Sequence, residues 1–92
     1  MKAERLYAII YGRVQAVGFR AFVYQLARSR DLSGWVRNGS DGTVECIVEG
    51  PRLELDRLLE ELKQGAPAAQ VKEVKADFSP AEGNLGDFEV RF

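Results

Sequence analysis

The chain of 92 residues contains no histidine. That absence removes the commonest general base, the commonest metal ligand and the side chain that most readily changes charge near neutral pH. Cysteine is almost as scarce. Cys46 stands alone, which excludes an intrachain disulfide, leaves no ordinary zinc ligand set and suits a reducing, cytoplasmic setting. No metal and no cofactor are expected. No apolar run is long enough to span a bilayer, and no basic-then-apolar signal opens the chain, so no membrane partner is expected either. Charge of one sign is not in excess: 13 basic residues face 14 acidic ones, for a net charge of −1. Such a surface has no global field to draw in nucleic acid, so any anion binding has to be local. Repeats, linkers and low-complexity runs are also missing. The length suits one small domain, residues 1–92, expected to be monomeric, and a hydrophobic content of 46% can build a modest core.

What is present reads as alternating elements. Glu4 to Gly12 (ERLYAIIYG) is a strand that is apolar on both faces, which places it centrally. Phe19, Phe22, Val23, Leu26 and Ala27 form the stripe of an amphipathic helix running to about Arg30. Ser33 to Asn38, a turn rich in Asn, Gly, Ser and Asp, and Thr43 to Glu49 make a hairpin. Pro51 suits a first helical turn, and Leu55, Leu58, Leu59 and Leu62 give a second helix ending near Gly65. Gln70 to Phe78 is a fourth strand, Pro80 to Gly86 a polar loop, and Asp87 to Phe92 a last strand with Phe88, Val90 and Phe92 on one face. This order predicts an α+β, ferredoxin-like βαββαβ sandwich: an antiparallel sheet of four to five strands with two helices on one face. Many functions share that fold.

The stretch GRVQAVGFR, Gly12 to Arg20, poses a question. The positive end of a helix dipole repels cations, yet Arg20 sits at a helix start. An anion between the arginine and the loop would resolve this. The main-chain amides of Gln15, Ala16, Val17, Gly18, Phe19 and Arg20 can curl into a cup beside the helix N-terminus, with Gly18 keeping bulk away. The Arg20 guanidinium would close that cup with paired, charge-assisted bonds to phosphate oxygens. The bland alternative is a surface arginine after a tight turn. Glycine spacings of the Walker and dinucleotide-binding kinds are not present.

GRVQAVGFR, followed by GWVRNGSDGTVE (Gly34 to Glu45), closely resembles the acylphosphatase family, with its GxVQGVGFR loop and GWVxN…DGxVE hairpin in a fold of this type and length. The resemblance covers nearly the whole chain. It implies hydrolysis of the carboxyl-phosphate bond of acyl phosphates with no metal and no cofactor, and with inorganic phosphate as product and competitor. It also implies that Arg20 binds the phosphoryl group beside the loop amides, and that Asn38 orients the attacking water. The missing histidine fits this chemistry. A carboxylate leaving group of pKa roughly 4 to 5 departs unassisted, and a loose phosphoryl-transfer transition state asks mainly for positioning and charge stabilisation. A neutral amide can hold a water by hydrogen bonds, although Asn before Gly39 is also an ordinary turn residue.

Two departures from the family pattern stand out. Ala16 occupies a position that is usually glycine. If that residue takes a positive φ, alanine carries strain of roughly 1 kcal/mol or more. Ala16→Gly is then expected to raise phosphate affinity or turnover. Gly39-Ser40 replaces a frequent Leu-Pro and changes turn flexibility. Cys46, alternating with Val44 and Val48, and Trp35 are read as packing residues.

Other readings use the same residues. A phosphate- or acyl-phosphate-sensing module would need Arg20 but not Asn38. An RNA-binding domain shares the element order, and GFRAFVY looks superficially like its aromatic strand motif. The helical periodicity of that segment and the balanced charge oppose it. Hydrogenase-maturation proteins carry a similar N-terminal domain, but the zinc-binding segment expected to follow it is not in this sequence, and the chain reads as free-standing.

Overall fold

In the computed structural model, which describes residues 3–92, β1 (Ala3–Arg13) lies inside the sheet, as its two apolar faces require. The other elements are α1 (Phe19–Ser29), β2 (Ser33–Asn38), β3 (Val44–Pro51), α2 (Arg52–Gln64), β4 (Gln70–Pro80) and β5 (Glu89–Arg91). The strand order is β4-β1-β3-β2-β5. The first four strands are antiparallel, as expected for the ferredoxin-like sandwich. The fifth runs parallel to β2, so the sheet is mixed at that edge. No helix among the described residues is long and apolar enough to cross a membrane.

Register decides which side is core. Ala8 and Val36 both pair with Cys46, and Leu6 with Val48, which puts these residues on one face. Val23 and Ala27 of α1 and Leu55, Leu58 and Leu62 of α2 join them in one fully buried cluster. Each leucine so buried stabilises the fold by about 2 kcal/mol. Helix α1 stops because Asp31 takes a left-handed φ of 60°. That turn lets Leu32 N donate to Ala27 O (2.9 Å) and Asp31 N to Arg28 O (3.2 Å). Pro51 is not in the first helical turn. It ends β3 in extended backbone and caps α2 from outside the helix.

The polar loop after β4 has a structural task that local pattern does not reveal. β4 is one edge of the sheet and β5 the other, so the intervening residues cross the face opposite the helices. They are pinned there by Glu49, only 6% exposed. Its carboxylate accepts from Arg5 Nε (2.7 Å), Glu82 N (2.9 Å) and Gly83 N (3.2 Å). Arg5 also donates to Asn84 Oδ1 (3.1 Å), and Gly34 N reaches Gly86 O (3.3 Å). This strap delivers β5 to its place beside β2.

Glu49→Ala would leave Arg5 Nε and the Glu82 and Gly83 amides without their acceptor under the strap. A loss of about 3 kcal/mol is expected, read as a melting temperature lower by about 15 °C at neutral pH. A drop of only a degree or two would show that the strap is held elsewhere. Burial alone would raise the Glu49 carboxyl, but the Glu82 amide, the Arg5 guanidinium and the Gly83 amide outweigh it and hold the carboxyl below its ordinary value. A depressed folded-state pKa contributes stability above the unfolded value and loses it as pH falls. The gap between parent and variant therefore narrows below about pH 4.

Candidate active site

The loop between β1 and α1 begins at a distortion. The β1–β4 register shifts at Tyr11/Gly12, where Gly12 has φ 131°. A Cβ there would fall 2.1 Å from Gln70 O, so only glycine allows the two strands to close. The chain then leaves the sheet between two buried anchors, Val14 and Phe19. Between them Ala16 (φ 59°) and Gly18 (φ 78°) both adopt the left-handed region and curl the loop. Gly18 is the N-cap of α1. A Cβ on it would meet no protein atom, so the space beside it is open.

That helix start is left electrically unfilled. No side chain caps it and no acidic residue lies in its first turn. Phe22 N donates to Gly18 O at 3.0 Å, so the main-chain N–H groups of Phe19, Arg20 and Ala21 precede the first intrahelical bond. Helix-start donors with the positive end of a dipole behind them are a seat for an anion.

A cavity of about 290 Å³ opens at this point. The loop and helix contribute Ala16, Gly18, Phe19 and Arg20 to its wall, β2 contributes Asn38, and the C-terminal segment contributes Val90 and Phe92. Arg20 is braced from behind. Its Nη1 donates to Arg91 O (3.1 Å), and its guanidinium lies 4.7 Å from the centre of the Phe92 ring. Such stacking holds the planar fork in one orientation and leaves other N–H groups to face the cavity. Asn38 is the last residue of β2, opposite Val44 in the ladder. Beyond it, a second and more polar hollow of about 430 Å³ is bounded by Arg37, Asp41 and Glu45, with Asn38 and Phe92 shared between the two.

Of the residues singled out from sequence, Ala16, Gly18, Phe19, Arg20 and Asn38 thus meet at one cavity. Gln15 and Val17 send their side chains elsewhere. Val17 packs against the core, and the Gln15 amide reaches the β2–β3 hairpin. Alternation places Phe88, Val90 and Phe92 on one face. Phe88 is buried, but Phe92 is fully exposed and serves the cavity instead. No local signal marks that role, since it depends on where β5 lands. Among the described residues no three His, Cys, Asp or Glu side chains group as a metal would need.

Ala16 meets the condition for strain set by its sequence position. The left-handed backbone costs alanine about 1–2 kcal/mol, and glycine returns less than that through a more flexible unfolded chain. Ala16→Gly is therefore expected to raise the melting temperature by about 3 °C. An unchanged or lower value would mean that the turn costs alanine no more than glycine loses through its more flexible unfolded chain.

The acylphosphatase family model matches residues 6–90. An acylphosphatase of Syntrophotalea carbinolica is 47% identical over 92 residues, spanning 100% of both chains. One of Acaryochloris marina is 48% identical over 85 residues, covering 92% of this chain and 87% of that one. The crystal structure of the Bacillus subtilis acylphosphatase superposes with a TM-score of 0.92 at 37% identity, covering 97% of this chain and 99% of that one. Acylphosphatases thus match this chain over almost its whole length and theirs, in sequence and in fold, and the chain belongs to the acylphosphatase family.

Proposed function

We propose that this member of the family hydrolyses acyl phosphates in the cavity between α1 and β2. Phosphoryl oxygens accept hydrogen bonds from the main-chain amides of residues 15–20 and from Arg20. Asn38 holds a water in line with the scissile bond. The water oxygen attacks phosphorus, the bond from phosphorus to the acyl oxygen breaks, and the carboxylate leaves with the electron pair. As a weak base it needs no proton. A proton of the attacking water passes to a phosphate oxygen, giving inorganic phosphate. Among the described residues, none that lines the cavity has an imidazole, thiol or carboxylate side chain, and the reaction asks for orientation and charge stabilisation.

One observation carries the reading: Arg20, Asn38 and the uncapped start of α1 share one cavity. The buried, lone Cys46 accords with the cytoplasmic setting proposed for it. The protein is proposed to act as a monomer, without nucleic acid. The RNA-binding alternative loses support because Phe19–Tyr24 lies on a helix and not on a strand. Purified protein should hydrolyse benzoyl phosphate, with inorganic phosphate competing. Folded protein that binds phosphate but releases no benzoate would instead be the sensing module.

A further inference from the structure

We infer that Gln15 is a positioning residue that ties the phosphate-binding loop to the hairpin carrying Asn38, so that the cradle and the water-orienting amide are set by one clamp. Its Nε2 lies 2.8 Å from Gly39 O and 2.8 Å from Thr43 O. Both hydrogens of the amide are therefore spent on the hairpin, and the nitrogen has none left for a ligand. Gly39 directly follows Asn38, and Thr43 O also accepts from Gly39 N at 2.7 Å. The hairpin tip is in turn closed by Asp41, whose Oδ1 accepts from the Thr43 hydroxyl (2.6 Å) and the Thr43 amide (3.3 Å). Gln15 is thus the side chain bonded from the loop to a rigid knot one residue from Asn38. No sheet pairing links these two segments, because β1 and β2 are separated by β3.

The clamp rests on the reading of the cavity as an acyl-phosphate site, and its chemistry is distinct from that of the cradle. Loop amides and Arg20 set how tightly phosphate binds. The clamp sets where Asn38 stands relative to that phosphate. A displacement of an orienting group by about 1 Å costs on the order of a hundredfold in rate, and a partial slackening correspondingly less.

Gln15→Met keeps the length and removes the donors. Gln15→Glu keeps the shape and turns a carboxylate towards two carbonyl oxygens. For benzoyl phosphate, kcat is expected to fall on the order of tenfold in Gln15→Met and further in Gln15→Glu. The inhibition constant of inorganic phosphate should stay within about twofold of the parent for Gln15→Met, which also certifies an intact cradle. In an Asn38→Ala background, Gln15→Met should add less than about twofold, because a residue acting through another has nothing left to act on. Phosphate inhibition that weakens in step with kcat would place Gln15 in the cradle. A multiplicative loss in the Asn38→Ala background, or an unchanged kcat in Gln15→Met, would dismiss the clamp. A parent that hydrolyses no benzoyl phosphate overturns the functional reading itself, a result separable from all of these.

Discussion

Arg20→Ala is expected to lower kcat/KM for benzoyl phosphate by on the order of a thousandfold or more, the scale on which an arginine stabilises a transferring phosphoryl group. Two effects combine. The guanidinium supplies charge-assisted donors to the phosphate oxygens, and it is held in place before any substrate arrives. Arg91 O accepts one of its N–H groups and Phe92 supports its plane, so little ordering remains to be done on binding. Inorganic phosphate should weaken as a competitor in the same variant. Arg20→Lys separates charge from geometry. An ammonium keeps the charge but loses the fork and most of the stacking, so its activity should fall between the two. Steady-state rates of benzoate release with a phosphate titration read both effects. An Arg20→Ala enzyme within tenfold of the parent would remove the guanidinium from the mechanism.

Asn38→Ala should leave a different mark. kcat is expected to fall by on the order of a hundredfold, about 2.7 kcal/mol of transition-state stabilisation. Phosphate should still bind, because the cradle amides and Arg20 are untouched. Asn38 is also the end residue of β2, so part of any loss in stability belongs to the strand and the turn. Melting temperature and phosphate inhibition, measured on the same preparation, distinguish that from a catalytic loss. A variant that turns over like the parent would leave the water to some other group, and one that loses phosphate binding would make Asn38 a ligand.

These residues were legible early because their signals are local. The GRVQAVGFR loop and the GWVRN hairpin are contiguous stretches, and the helical stripes of α1 and α2 repeat within two or three turns. β2 begins and ends where the turn residues indicate. What stayed hidden depends on distant partners. Glu49 reads as an ordinary polar position in an alternating strand until Arg5 and the amides of Glu82 and Gly83 are brought against it. The parallel pairing of β5 follows from that crossing, and three residues are too few for a period to show. Phe92 alternates with Phe88 and Val90 onto one face, yet Phe88 is buried while Phe92 stands exposed beside Arg20 at the cavity, a difference that alternation does not show. The Gln15 side chain lies in a motif that points to phosphate, and only the position of the hairpin carbonyls shows its other allegiance.

The brevity of β5 has its own effect on how long the enzyme stays competent. It is stitched to β2 at three positions, Trp35 to Glu89, Val36 to Val90 and Arg37 to Arg91, whereas β1 is zipped to β3 from Ala3 to Ile10 and to β4 from Glu4 to Arg13. Fraying of such a seam demands far less than melting the leucine-lined interior. Yet the same seam brings in the carbonyl and the ring that steady Arg20. Heat should therefore silence hydrolysis before the helices unwind, with turnover fading at temperatures where circular dichroism still reports an intact molecule.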